Sequence, residues 1–175
     1  MKINNKDKNI VLIGFMGSGK TSVGKRLSLV LKREFIDTDD FIEKREGMTI
    51  NEIFKEKGEE EFRKIERELY KRFSTPKKKI IATGGGVIKN SANIANLKKG
   101  GVIVYLKSSP EKIAQNLKFD NTRPILQVDD KEAKIRELLA QREPFYNKYA
   151  EITIDVSNYD IDHTVDKIIE LAKVW

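Results

Sequence analysis

The eight residues Gly14-Phe15-Met16-Gly17-Ser18-Gly19-Lys20-Thr21 limit what this chain can become more than any other segment does. They follow the apolar run Ile10–Ile13 and precede a stretch in which Val23, Leu27, Val30 and Leu31 recur at helical spacing. A turn of pattern G-x-x-x-x-G-K-T between a buried strand and a helix is a phosphate cradle. Glycine takes the dihedrals that aim successive backbone N–H groups at one anion, and the helix N-terminus adds a favourable dipole. In that arrangement Gly17, Ser18, Gly19 and Ser22 surround nucleotide phosphates. Lys20 reaches the β- and γ-phosphates, and the Thr21 hydroxyl ligates Mg²⁺. A chance match in a turn is the competing explanation, and the flanking strand and helix weigh against it.

The remaining chain alternates short apolar runs with helical stretches, the pattern of a parallel α/β sheet. Phe35–Ile36, Ile80–Ala82, Val102–Leu106 and Ile152–Ile154 complete a set of five strands. Helical pieces are expected at Asp40–Arg45, Ile50–Lys57 and Glu59–Phe73, with Thr49 and Glu52 as a capping box and Gly47 and Gly58 as punctuation. A further helix begins at Pro110 under the cap Ser109, another runs from Asp130 to Gln141 until Pro144 breaks it, and Asp162 caps the last. No element is assigned between Gly86 and Val102. Residues 118–128 lack periodicity, contain Pro124 and read as a mobile loop. The expectation is one domain over residues 1–175, a three-layer αβα sandwich on a five-stranded parallel sheet.

Composition excludes several chemistries. With no cysteine and a single histidine, His163, there are no disulfides, no thiolate chemistry and no Cys- or His-rich metal cluster. No apolar run approaches the roughly 18 residues of a membrane span, so a cytoplasmic location without a membrane partner is expected. The net charge of +7 invites a nucleic-acid reading. The lysines are dispersed, however, and an anionic substrate would itself favour a positive cleft, so no nucleic-acid partner is expected.

Four further signals concern what receives the phosphate. Asp37-Thr38-Asp39 ends the second strand, on the sheet edge where open α/β folds place ligands. In extended geometry two such carboxylates face the same way; one suits hydrated Mg²⁺ and the other an acceptor hydroxyl, unless the acids merely cap the next helix. Arg63 and Glu66 share a helix face, so the glutamate can hold a guanidinium aimed at an acceptor carboxylate. Gly84-Gly85-Gly86 leaves the third strand and permits close backbone approach to a ligand. No acid stands in that turn, which moves the acidic metal contact to Asp37. Arg123 and Arg142 complete the set, each with a plain surface-arginine reading beside it.

Together GFMGSGKT at 14–21, DTD at 37–39, IFKEKGEEEFRKIE at 53–66, ATGGGV at 82–87, TRP at 122–124 and QREPFY at 141–146 resemble the shikimate kinases across essentially the whole chain. The resemblance implies a P-loop NTPase fold related to the nucleoside monophosphate kinases, and transfer of the ATP γ-phosphoryl group to the 3-hydroxyl of shikimate. It further implies that Arg63 and Arg142 clamp the shikimate carboxylate and that Asp39 binds the attacking hydroxyl. Gly84, Gly85 and Gly86 contact the substrate, Asp37 serves Mg²⁺ through water, and Arg123 is a lid arginine for the γ-phosphate. The implied subregions are a shikimate-binding part at about 37–66 and a lid at about 112–128, in a monomer. One departure is visible: where many members have an adenine-stacking arginine, this chain has Asn116 or Lys118, and the loop near Ser157–Ile161 lacks a proline. The rival readings are a gluconate-type or other small-molecule P-loop kinase and a nucleotide-dependent binding protein.

Overall fold

In the computed structural model, which describes residues 4–174, the strands form one wholly parallel sheet in the order β2-β3-β1-β4-β5. They are β1 (Asn9–Ile13), β2 (Phe35–Asp37), β3 (Ile80–Ala82), β4 (Gly101–Lys107) and β5 (Ile152–Asp155). β1 takes the centre because every one of its positions is buried, as a strand covered on both faces requires. Alternate strand residues feed two separate cores. Ile10, Leu12, Val102 and Val104 pack with α1 (Lys20–Leu31) and with a C-terminal helix over Ile161–Ala172. Val11, Ile13, Ile103 and Tyr105 pack on the other side, against helices that include Ile50–Arg72 and Lys131–Tyr149. The result is the expected three-layer sandwich. The chain winds outward from β1 to β2, returns to β3 and then crosses to β4. The winding therefore reverses at the carboxyl end of β1, where ligands bind in such folds.

Four expectations need correction. The first concerns Thr38–Glu46 (α2), whose helix begins one residue after β2, so Asp39 sits in its first turn and not on an extended strand. A helix also fills the unassigned stretch, Ser91–Gly100 (α4), following a 3-10 turn at Gly85–Lys89 and α3 (Ile50–Arg72). Its signal was weak because only Ile94 and Leu97 mark a buried apolar stripe in a segment rich in Asn and Lys. The third correction is to Pro144, which does not break its helix. After α5 (Pro110–Asn116), helix α6 runs from Lys131 to Tyr149 with the proline inside. An internal proline costs about 3 kcal/mol through a lost hydrogen bond and a clash. What opposes it is Tyr146, fully buried, stacked on Tyr105 at 5.0 Å and donating to Gly85 O at 2.8 Å. Finally, the last helix, α7 (Ile161–Ala172), is capped by Asp160, which accepts from His163 N at 2.7 Å, and not by Asp162. The capping box of Thr49 and Glu52 and the Ser109 cap are as expected.

Candidate active site

The loop between β1 and α1 has left-handed backbone at Gly17 (φ 75°) and Gly19 (φ 94°), dihedrals that a side chain would resist. Gly19 is also the N-cap of α1, so the free amides of the helix open into the loop. Lys20 lies buried beneath, its ammonium donating to Gly14 O at 2.6 Å and Phe15 O at 3.0 Å. Burial, with the nearby Arg123 charge second, lowers its pKa to about 8 against the opposing pull of Asp39 and Asp37.

Asp37 caps a helix and faces the phosphate loop with one carboxylate. Its Oδ1 accepts from the amides of Asp39 and Asp40 at 3.1 and 3.2 Å and caps α2. Its Oδ2 accepts from the Thr21 hydroxyl at 2.9 Å, across the mouth of the phosphate loop. A hydroxyl and a carboxylate oxygen side by side suit a hard cation such as Mg²⁺, which commonly binds through one or two protein oxygens plus substrate phosphates. The described residues contain no group of three or more His, Cys, Asp or Glu that could hold a metal by themselves.

The glycine turn after β3 brings three of the candidate residues together, one glycine to each. A Cβ on Gly84 would stand 2.9 Å from Asp39 Oδ1, one on Gly85 3.5 Å from an Arg142 guanidinium nitrogen, and one on Gly86 3.2 Å from Arg63. Asp39, Arg142 and Arg63 therefore converge on three consecutive residues; the approaches of Asp39 and Arg63 depend on Gly84 and Gly86 lacking side chains, whereas Arg142 meets Gly85 at ordinary contact distance. Burial pushes the Asp39 carboxyl up to about 6, with the neighbouring charges of Asp37 and Glu66 adding to it. Arg63 donates to Glu66 at 2.9 Å, with Glu66 almost wholly buried, and its guanidinium lies against the rings of Phe54 and Phe62. Burial raises the Glu66 pKa in spite of the arginine beside it. Arg142 lies over the Phe15 ring at 5.4 Å. The ion pairs at this turn go to Arg63 and to Lys89; Arg142 has no acidic partner among the described residues.

Sequence reasoning missed the supports of this turn. Thr38, fully buried, accepts from Gly84 N at 3.2 Å and meets the Tyr70 hydroxyl at 3.4 Å, while Tyr146 anchors the Gly85 carbonyl. The Phe15 platform stood in a motif position that accepts any residue. Only the shared burial of these aromatics in three dimensions reveals them.

Two clefts flank the loop. The smaller, about 220 Å³, is lined by Lys20, Thr21, Asp37, Asp39, Gly84 and Arg123 among others, so the structure brings Arg123 to the acids and the loop lysine. Arg123 is held there by Asp120 at 3.1 Å, just before a 3-10 turn at Pro124–Leu126 whose Leu126 is buried. The larger cleft, about 1060 Å³, runs from Gly17–Gly19 and Ser22 to Asn116 and Tyr159. Asn116 donates to Gly17 O at 2.8 Å and lines this cleft, whereas the Lys118 ammonium lies over the Phe119 ring, 5.5 Å from its centroid.

Residues 16–173 match the family model for shikimate kinase. This chain belongs to the shikimate kinase family. The shikimate kinase of Caldanaerobacter subterraneus subsp. tengcongensis is 51% identical over 162 residues, covering 93% of this chain and 94% of that protein. A solved shikimate kinase from Acinetobacter baumannii in complex with shikimate is 40% identical with a TM-score of 0.87, covering 94% of this chain and 92% of that one. A gluconokinase from Sinorhizobium meliloti gives a TM-score of 0.54 at 16% identity over 96% of this chain and 95% of that one, a likeness of fold alone. Family membership makes this chain an ATP-dependent kinase of the shikimate kinase class.

Proposed function

We propose that this chain transfers the γ-phosphoryl group of ATP to the 3-hydroxyl of shikimate, using the residues gathered at the Gly84–Gly86 turn and the phosphate loop. The observation that carries the acceptor assignment is the placement of one carboxylate and two guanidinium groups against three successive glycines. A polyhydroxy carboxylate matches that set: its carboxylate faces Arg63 and Arg142, and its reacting hydroxyl faces Asp39. Glu66 fixes the Arg63 fork from behind, leaving the guanidinium oriented for a two-point contact.

The loop amides of Gly17, Ser18 and Gly19, with Ser22, hold the phosphates, and Lys20 leaves its carbonyl partners for the β- and γ-phosphate oxygens. Thr21 and Asp37 are the residues that would hold Mg²⁺, Asp37 through water; when bound, the ion neutralises phosphate charge. Arg123 adds a second cation at the transferring group. Asp39, with its raised pKa, orients the hydroxyl and takes its proton as the oxygen–phosphorus bond forms. ADP leaves with the transferred group's former bridging oxygen.

In this reading residues 1–175 form one kinase domain with an acceptor part at about 37–66 and a lid at about 112–128, acting as a cytoplasmic monomer without nucleic acid. No described helix is long and apolar enough to cross a membrane. Coupled ADP release with shikimate, gluconate and CMP as separate acceptors tests the assignment: turnover is expected with shikimate alone. Comparable turnover with gluconate would reassign the acceptor. For the lid, ATP plus shikimate should slow amide exchange over 118–128, and unchanged exchange removes it.

A further inference from the structure

Four buried side-chain polar atoms have no hydrogen-bond partner among the described residues: Asn5 Oδ1, Ser18 Oγ, Asn93 Oδ1 and Ser108 Oγ. An orphaned buried hydroxyl is a standing cost to the fold, and native chains carry few of them without a functional reason. Neither asparagine borders the large cleft beside the phosphate loop, but both serines do. Ser18 rides on the loop itself, its hydroxyl tucked into the space that Gly14 leaves by lacking a side chain. Ser108 is different. It sits immediately after β4, is only 5% exposed, and belongs to no phosphate-binding motif.

Its backbone is held on both sides. Lys107 pairs with Asp155 in the sheet and its carbonyl accepts from Val156 N at 2.8 Å, while Ser109 N donates to Ser157 Oγ at 2.9 Å. The side chain is thus carried by a strand end held on both sides, lining the same cleft as Gly17, Gly19 and Lys112. A serine hydroxyl needs one torsion to change direction and both donates and accepts. The chemistry that enters this cleft from the loop side is a nucleoside polyphosphate, which offers acceptor oxygens on phosphate and ribose.

We propose that Ser108 is a nucleotide-binding residue, its hydroxyl donating to an oxygen of the phosphate–ribose portion of bound ADP or ATP. The orphan is then a donor kept for the ligand from a fixed strand end, outside the phosphate loop. The inference rests on the ATP-dependent kinase reading, and ADP affinity of the unaltered chain tests that reading separately.

The experiment pairs calorimetric titration of ADP with thermal melts for Ser108→Ala and Ser108→Thr. Ser108→Ala removes an unpaired buried hydroxyl, so it should melt at or above the unaltered chain without nucleotide. Its ADP dissociation constant should rise about tenfold, as expected for a lost donor to a charged or strongly accepting oxygen. The nucleotide-induced rise in melting temperature should shrink with it. Ser108→Thr keeps the hydroxyl and should hold ADP affinity near the original. Unchanged ADP affinity in Ser108→Ala overturns the proposal, as does a lowered melting temperature without nucleotide, which would mean the hydroxyl has a structural partner. Equal loss of affinity in the alanine and threonine variants does the same, by assigning the effect to packing.

Discussion

The proposed acceptor side and nucleotide side of this molecule are built on opposite plans. Around Gly84–Gly86 the charged groups are packed and braced: Arg63 by Glu66 and two phenylalanine rings, Arg142 by Phe15, and the turn itself by Thr38 and Tyr146. On the nucleotide side the cleft is about 1060 Å³, and its far wall is made of side chains such as Asn116 and the half-exposed Tyr159. Arg123, which belongs to that side by sequence, is tied among the described residues only to Asp120 of its own segment. A small rigid acceptor rewards preorganisation, because a misplaced hydroxyl loses the alignment that phosphoryl transfer depends on. In the proposed reading a nucleotide is gripped by its phosphates at the loop, so the rest of its cleft needs less bracing. Contacts also join the two plans: Thr21 donates to Asp37, and Asn51, in the first turn of α3, donates to Thr122 O of the proposed lid at 3.0 Å.

This contrast breaks most visibly at Arg123. Arg123→Ala should lower kcat by about 10³-fold while leaving the shikimate KM nearly unchanged, the mark of a charge used mainly in the transition state. Steady-state kinetics that instead show a raised shikimate KM and intact kcat would move Arg123 to the acceptor side and erase the contrast.

Asp39 comes next. Asp39→Asn should cost about 10²-fold in kcat or more, and remove the acid limb of the pH–rate profile near pH 6. The stability effect runs the other way. Because the folded value of about 6 exceeds the ordinary 3.8, the folded chain holds the proton more tightly than the unfolded one. Asp39 therefore subtracts stability as pH rises through that window, and the loss persists at pH 7. The asparagine variant should be more stable at pH 7 by on the order of 1–3 kcal/mol, an advantage that fades below pH 4. Melts across pH that show no such crossover would mean Asp39 is solvated, and the acceptor side less rigid than described.

Arg63→Ala sharpens the same side. It should raise the shikimate KM by about 10²-fold with a smaller change in kcat, and it leaves Glu66 buried without its partner, which typically destabilises by about 3–5 kcal/mol. A variant that binds shikimate poorly but melts normally would show that Glu66 does not depend on this pair. The smallest effect is expected at Asn116, whose alanine variant should raise the ATP KM only about threefold through the lost bond to Gly17 O. A loss rivalling Arg63→Ala would mean the nucleotide wall is as firmly preorganised as the acceptor turn.

These two plans also explain what could be read from sequence. The phosphate loop, Asp37, Asp39, Arg63, Glu66 and the glycine turn were legible because their chemistry depends on residue type at short spacing. Asp39 was found for a wrong geometric reason: it reaches Gly84 from the first turn of a helix, since the strand stops at Asp37. The α4 helix was missed because two buried apolar residues make too thin a stripe to register. Pro144 misled because the cost of an internal proline is local, while the packing of Tyr146 that offsets it comes from β4 and the glycine turn. The Phe15 platform under Arg142 was invisible until folding brought distant segments together, whereas Phe54 and Phe62 stand close to Arg63 in the same helix.

Gly58 lies inside α3 with φ 85° and ψ 165°, far from helical values. Electrostatically, that makes the segment two short macrodipoles in series in place of a single long one, with a positive pole re-created at residue 59. Three consecutive acids, Glu59, Glu60 and Glu61, follow the break at once, in the turn where negative charge is most welcome. Part of their field is thus answered by backbone amides at the break, and Arg63, one turn on, is compensated within that second helix by Glu59 at 3.6 Å and Glu66 at 2.9 Å.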